Sequence, residues 1–459
     1  MRLDSVITMS TEEMTRAQWR KLFEQLTIVD NDGVELQAFD HRSGAGVVVM
    51  PRGALTLLPI DLNVSDLRSR PSMPKLKYAK TLDAPGYAGQ SAAVEAMFEH
   101  EYGQVIAPPG RGKTEIALAF IAAAGTRTLV VVHTNDLLKQ WVERAAVSVP
   151  GLKVGVIQGQ TREVAHLTVA TAQTLKQYLG AGGKFWRKFG AVIVDECHHS
   201  AAETWEWLLN SCPAFYRFGI TASEKRSDGR QALVRFNIGP VIYRLKFESA
   251  VPMTVVPVVT NFRSRFNGTQ WTKVVRDVVN NQERNALVAS VIDREIEAGH
   301  TVLCLSRQIK HLDLIYEELA DKDGVKIVTG QLTQRKRQEH IQGMRDGNIR
   351  CILGTQLFEE GVDIPRINRI ILAFPGTEIT ALQKIGRGAR KFVDKEDCIV
   401  YDLFDDKVAV LARQFIERKI WYRSAGITLG KAVKNGNQDQ GEVSGRKRFS
   451  LSGLRVRRS

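Results

Sequence analysis

The chain has 459 residues, 44% of them hydrophobic and 25% charged, with a formal net charge of +14. That length holds two or three domains, and the composition excludes a wholly disordered or fibrous chain. So large a positive excess favours a polyanionic partner, of which nucleic acid is the common one.

Part of the charge lies in a basic stretch near the C-terminus. Lys431 to Arg458 holds eight Lys/Arg against Asp439 and Glu442, a net of +6, which leaves +8 for the body. The five cysteines, Cys197, Cys212, Cys304, Cys351 and Cys398, are scattered and form no C-x-x-C pair. That pattern argues against a disulfide framework and a zinc site, and for a reducing cytoplasmic setting. Met1 to Thr15 carries Asp4, Glu12 and Glu13 and lacks the apolar segment of a signal peptide. No apolar run approaches the roughly 20 residues that span a bilayer, so no membrane partner is expected.

Residues 1–80 read as a small accessory domain and a candidate DNA contact. Met14 to Leu26 has the pattern of a short amphipathic helix, and Val34 to Leu62 reads as short strands broken by Gly and Pro. Arg68 to Pro74 (RSRPSMP) has the composition of a linker. Over residues 84–250, apolar runs at Gln104–Ala107, Thr128–His133, Leu167–Ala170, Ala191–Val194 and Phe218–Thr221 alternate with helical patterns such as Glu115–Ala124 and Asp136–Val147. Such alternation predicts parallel strands joined by crossover helices. After a Pro-interrupted stretch at Val251–Thr260 it restarts, so residues 255–428 form a second α/β unit. Its helix Arg284–Ala298 precedes runs at Thr301–Leu305, Val325–Val328, Cys351–Leu353, Ile367–Ala373 and Cys398–Tyr401. Residues 430–459 read as a polar, flexible tail.

Val105–Thr114 (VIAPPGRGKT) runs from a strand into a helix. Gly110 and Gly112 let the backbone curl so that its N–H groups, with that of Arg111, face a phosphate at the helix N-terminus. Lys113 can reach the β- and γ-phosphates of ATP, and the Thr114 hydroxyl can ligate Mg²⁺. Ala107 stands where the strict phosphate-loop pattern has its first Gly. The run Ala191–Val194 places Asp195 at a strand tip, where it can hold the Mg²⁺ shell, and Glu196 where it can orient and deprotonate water. His198 and His199 follow without further ligands at zinc spacing.

With these residues in place, the sequence over about residues 84–425 resembles a superfamily 2 helicase. DECHH (195–199) is similar to the DExH form of the second motif. It is closest to the group of XPB-like repair helicases, phage branch-migrating helicases and type III restriction motors. Tyr87 and Gln90 resemble the upstream adenine-contacting element. Residues 132–141, with Thr134 and Asn135, resemble motif Ia, and residues 169–175, with Thr171 and Gln173, resemble motif Ib. In relatives both line the nucleic-acid path, although Asn135 could equally cap a helix. Thr221, Ala222 and Ser223 resemble motif III, which couples hydrolysis to strand movement, with Glu224 in place of the usual Pro, and Arg226–Gly229 continues the likeness. Gly354–Pro365, with Thr355, Gly361 and Asp363, resembles motif V. Gln383–Arg390 resembles motif VI, with Lys384 in place of an Arg.

The resemblance implies two tandem RecA-like domains, parallel sheets flanked by helices, meeting across a cleft. The first holds ATP and Mg²⁺, and Arg387 and Arg390 of the second aim at the γ-phosphate, a role worth about 10³–10⁵ in rate. His198, His199 and Gln383 belong with the coupling residues. The expected activity is DNA unwinding, branch migration or translocation by a monomer in the nucleoid of a bacterial or phage-infected cell, with replication or recombination proteins as candidate partners. A translocase that remodels protein–DNA complexes, an RNA helicase, or a nucleotide-dependent binding module without hydrolysis would carry similar motifs. Glu196 and both motif VI arginines argue against the last.

Overall fold

The structure is a computed structural model. It describes residues 1–434 apart from 43–44, 60–61, 86, 109, 180–182, 198–202, 223–229, 248, 250, 267, 356–363 and 377–394. The N-terminal segment pairs β1 (Arg2–Leu3), β2 (Val6–Ser10), β5 (Asp40–Arg42), β6 (Val47–Pro51) and β7 (Ser65–Asp66) in the order β5-β6-β2-β1-β7. A hairpin of β3 (Thr27–Val29) and β4 (Glu35–Gln37) stands apart from that sheet. Helix α1 (Arg16–Leu26) begins two residues later than its apolar pattern, because Thr15 and Gln18 form a capping box. It buries Trp19, Leu22 and Leu26 against the sheet. Arg52–Leu57, expected within a run of strands, is a 3₁₀ helix.

Arg68 to Pro74 is no free linker. Arg68 pairs with Asp66 and Glu101, and the backbone bridges Ser69 to Ala214 and Ser72 to Thr126. Composition signals a lack of regular structure here, but docking on another element supplies the backbone partners that every polar group needs.

The first α/β unit holds β8 (Tyr102–Ile106), β9 (Thr128–Val132), β10 (Val154–Gln158), β11 (Thr161–Arg162), β12 (Leu167–Thr171), β13 (Ala191–Asp195), β14 (Tyr216–Thr221) and β15 (Val241–Arg244). Their order is β11-β10-β12-β9-β13-β14-β8-β15, parallel except for the short β11. Runs such as TLVVV and AVIVD are buried along their whole length, as strands covered on both faces must be. The covering helices include α2 (Gln90–His100), α3 (Lys113–Ala124), α4 (Asn135–Ser148), α5 (Ala172–Leu179), α6 (Gly183–Trp186), α7 (Glu203–Ser211) and α8 (Gln231–Ile238).

The second unit repeats the plan. Strands β16 (Met253–Val259), β17 (Val302–Leu305), β18 (Val325–Val328), β19 (Cys351–Gly354), β20 (Arg369–Leu372), β21 (Cys398–Phe404) and β22 (Thr428–Leu429) run parallel in the order β18-β19-β17-β20-β21-β16-β22. Around them lie α9 (Trp271–Asn280), α10 (Gln282–Glu297), α11 (Ile309–Glu317), α12 (Gln334–Asp346) and α13 (Ala409–Ser424). Val433–Lys434, expected in the tail, form β23 and pair with Val258 and Val259. Val433 is buried, which is why the chain stays on the sheet to that point. Residues 435–459, the rest of the expected tail, lie outside the described residues. All five cysteines are buried and free, and among the described residues no helix is long and apolar enough to cross a membrane.

Two sets of buried polar groups in the second unit pair closely. Arg284 forks onto both Asp405 oxygens at 3.0 and 3.1 Å. His311 lies between the Ser306 hydroxyl (2.9 Å) and the Asn285 side-chain oxygen (3.0 Å). Burial, and then the charge of Arg284, hold the His311 pKa down to about 3. The folded value lies below the unfolded one, so the unfolded chain takes up the proton first. The contribution is whole above about pH 6.5 and is lost progressively as pH falls toward the folded value. A His311→Gln variant should therefore show a shallower loss of urea stability between pH 6.5 and 4 than the parent, by up to about 1.4 kcal/mol per pH unit. Equal slopes would contradict a neutral, buried His311.

Candidate active site

In a parallel sheet every strand ends at the same edge, and ligands bind there. In the first unit β13, β14 and β8 are neighbours, with Asp195 opposite Ile220 and Thr221 opposite Ile106. One edge therefore carries the phosphate loop after β8, Thr221 at the end of β14 and Asp195 at the end of β13. The strands β12 and β9 beside them end at Thr171 and just before Thr134. Thr355 follows β19 at the matching edge of the second sheet.

The loop is shaped by two glycines. Gly110 (φ +83°) and Gly112 (φ +73°) take left-handed backbone conformations that side chains rarely adopt. A Cβ on Gly112 would also strike the Gln90 amide nitrogen. Gln90 is buried and donates from Nε2 to the Arg111 carbonyl at 3.0 Å, while Asp83 caps α2 by accepting from the Gln90 N–H at 2.6 Å. The Arg111 side chain is buried and turns back to the Ala88 carbonyl (2.5 Å), and its N–H donates to Pro108. Of the loop residues, Arg111 thus serves the loop's own shape.

The Lys113 ammonium donates to Glu196 Oε1, and Thr221 Oγ1 lies 3.4 Å from Glu196 Oε2. Asp195 accepts from the Trp141 indole N–H at 2.8 Å on one oxygen and from the Glu196 N–H at 3.0 Å on the other. Burial, and then the charge of Glu196, push the Asp195 carboxyl above the usual range, against the pull of Lys113. Burial opposes the Lys113 charge, but Glu196 and Asp195 outweigh it and hold the ammonium above its ordinary value. Glu196 has φ +49°, one of three positive values among the described non-glycine residues, and such strain clusters at functional sites.

Two participants had no role in the motif reading, although Trp141 closes its motif Ia stretch. Trp141 holds Asp195, and Arg144 donates to the Thr114 hydroxyl at 3.0 Å. They are one turn apart on α4, so a single helix face reaches both metal-binding candidates. The available signal was their i, i+3 spacing across the end of the motif Ia stretch, which closes on Trp141, but the sequence does not say which strand that face meets. Thr134, not Asn135, caps α4 by accepting from the Leu137 N–H (3.3 Å), and Asn135 is exposed. Thr171 bonds the Thr174 hydroxyl (2.7 Å) and Gln173 is exposed at the start of α5. Ala222 is buried. Asp136 joins the two units, accepting from Gln334 (3.1 Å) and Arg337 (3.4 Å) on α12. His198, His199, Ser223, Gly361, Asp363, Gln383, Arg387 and Arg390 lie outside the described residues, as do Glu224 and Lys384.

Residues 85–226 match the family described as the type III restriction enzyme res subunit, and residues 283–391 the helicase conserved C-terminal domain. A mimivirus protein (Acanthamoeba polyphaga mimivirus), provisionally named ATP-dependent RNA helicase L396, is 26% identical over 376 residues, covering 78% of this chain and 70% of the relative. The DNA 3'-5' translocase XPB2 of Sulfurisphaera tokodaii is 26% identical over 359 residues, covering 68% of this chain and 80% of its own. Among solved structures, a fragment provisionally assigned to the HsdR subunit of a type I restriction enzyme from Vibrio vulnificus YJ016 superposes with a TM-score of 0.57 at 18% identity. It covers 78% of this chain and 70% of that one, and shows the fold. With a DExH second motif, the phosphate loop beside it, and both helicase families in tandem along two parallel sheets, the chain belongs to the superfamily 2 helicases, motors that hydrolyse ATP in response to nucleic acid.

Proposed function

We propose that this chain is a DNA motor that couples ATP hydrolysis to movement along DNA, and to unwinding or branch migration at forked or branched DNA. The observation that carries the reading is the convergence of Lys113, Glu196, Asp195 and Thr221 on one sheet edge, next to the strand ends that carry Thr134 and Thr171. The basic body and the likeness to a protein named as a DNA translocase favour DNA. The likeness to a protein named as an RNA helicase keeps RNA as the second reading.

The donor set suits a magnesium nucleotide. A hydroxyl (Thr114) and a buried carboxylate (Asp195) whose charge is costly are the partners a hard cation takes, and a cation would relieve Asp195. Thr114 and Asp195 would hold Mg²⁺ there, and the ion would supply positive charge to offset the charge that develops on the phosphates. Lys113 supplies the positive charge for the phosphates, and Gln90, Gly110 and Gly112 set the loop that receives them. Glu196, held at one oxygen by Lys113 and near Thr221 at the other, is the group to take a proton from water. Thr221 senses that proton through the same carboxylate. By the likeness of their segment to motif VI, Arg387 and Arg390, which lie outside the described residues, would bring the second unit's positive charge to the γ-phosphate. A strand lying on Thr134, Asn135, Thr171, Gln173 and Thr355 would be gripped differently as the two units approach and separate, which is what turns hydrolysis into movement.

Three measurements bear on this. Hydrolysis should be stimulated by single-stranded and forked DNA more than by RNA, and Lys113→Ala should lower it by about 10²-fold or more, as for loss of one transition-state donor; stimulation by RNA alone would reverse the substrate assignment. Trp141→Phe keeps a ring but removes the hydrogen bond to Asp195. Titrated by nucleotide fluorescence, its Mg²⁺ midpoint should rise about tenfold with metal-free nucleotide binding unchanged, the scale of a hydrogen bond to a charged group. Deleting residues 435–459, which spares β23, should weaken duplex binding and flatten its salt dependence by up to about 0.9 in log–log slope for each basic residue that meets a phosphate. An unchanged slope would take the basic segment out of the DNA contact.

A further inference from the structure

The N-terminal segment touches the first unit at Arg187 through Asp4 (3.0 Å), and grips it most closely at β14 and α8. Arg52 is buried and donates from both terminal nitrogens to the carbonyls of Ala214 and Phe215, immediately before β14. Arg217, within β14 and fully buried, donates to Ser5 of the N-terminal segment (2.8 Å), to Leu209 (2.8 Å) and Cys212 (3.0 Å), and to Asn237 on α8 (3.1 Å). Asp30, buried at the end of β3, accepts from Arg230 at 2.7 and 3.1 Å. Its other oxygen accepts the N–H groups of Asp32 and Val34. Arg230 is the N-cap residue of α8. Gly53 lies so close that a Cβ would overlap the carbonyls of Arg235 and Phe236, and Phe236 belongs to the N-terminal segment's own core.

These contacts hold both ends of a single strand–helix pair. Burying guanidinium groups is costly unless their donors are satisfied. The terminal nitrogens of Arg52 and Arg217 meet carbonyl oxygens whose positions follow from the backbone, with only the Arg217 Nε left without a partner, so the joint is specified in geometry and not merely in affinity. The strand it holds ends at Thr221, 3.4 Å from Glu196. A close-packed interior transmits a displacement at one end of such a strand to the other.

We propose that residues 1–66 act as a brace for β14 and α8, with Asp30 and Arg230 as positioning residues that set Thr221 against Glu196. A segment that reads as an appended nucleic-acid contact thereby becomes part of the hydrolytic machinery's register. The inference rests on Glu196 being the hydrolytic base, and it goes beyond that reading in giving the N-terminal segment a role in turnover without direct contact with nucleotide.

The test uses the full chain with Arg230→Gln, Arg230→Lys and Gly53→Ala, the last wedging the joint without changing charge. Amide hydrogen exchange should quicken at Phe218–Thr221 in Arg230→Gln and Gly53→Ala, with Leu167–Thr171 unchanged. DNA-stimulated kcat should fall about tenfold in Arg230→Gln, the equivalent of about 1.4 kcal/mol, with the ATP KM within about twofold. Arg230→Lys should recover most of the rate. Unchanged exchange at Phe218–Thr221 would overturn the brace. So would equal losses in the Gln and Lys variants with a raised ATP KM, the pattern of general loosening. A parent protein inactive with every nucleic acid would remove the motor reading, while the exchange comparison still decides the brace.

Discussion

Three charged groups meet at the end of one buried strand, and the rest of the site is arranged around their imbalance. Asp195 and Glu196 face a single ammonium, Lys113, where burial disfavours charge of either sign. The cluster is one positive charge short. Such a site binds a cation or an anion–cation pair more readily than it stands alone. Lys113 is the first residue of α3, so its position follows from the loop glycines. Asp195 is fixed by the Trp141 indole, and Glu196 by a strained backbone. A nucleotide with its metal is the ligand whose charge pattern matches.

That cluster exists because parallel strands all end on one side. The same constraint puts Thr134, Thr171 and Thr355 at corresponding edges of two sheets, so a nucleic-acid strand laid across both units would meet polar groups from each. The Asp136 contact with Gln334 and Arg337 joins the units beside these ends. Helix α4 begins at that contact and, two turns on, presents Trp141 and Arg144 to the metal-binding candidates. Events at the inter-unit contact and at the phosphate site therefore share one rigid element.

The alternation of apolar runs and helical patterns picked out β8, β9, β12, β13 and β14 of the first unit and β17 to β21 of the second, since buried parallel strands have to be apolar throughout; β10 and β15 gave no such run, and β16 read as a break between the units. The phosphate loop and DECHH were legible because their chemistry is local, with consecutive residues doing one job. What stayed hidden is long-range. Nothing in RSRPSMP says that Ser69 and Ser72 find partners at Ala214 and Thr126. Neither Trp141 nor Arg217 announces a partner dozens of residues away in the chain, and buried arginines bonded to carbonyls look in sequence like surface charge. The start of the expected tail was misplaced for a similar reason. Val433 reads as one apolar residue in a polar stretch, yet it completes a sheet begun at Met253.

The central claim is that Glu196 takes the proton during hydrolysis at this edge. It is tested most directly by single-turnover phosphate release from the DNA-bound protein and from its Glu196→Gln variant, with nucleotide affinity measured in parallel. Nucleotide should still bind while the hydrolytic step slows by about 10²-fold or more, as expected for loss of a general base. Release at the parent rate by the variant would show that the carboxylate beside Lys113 is structural and that the reacting water is activated elsewhere.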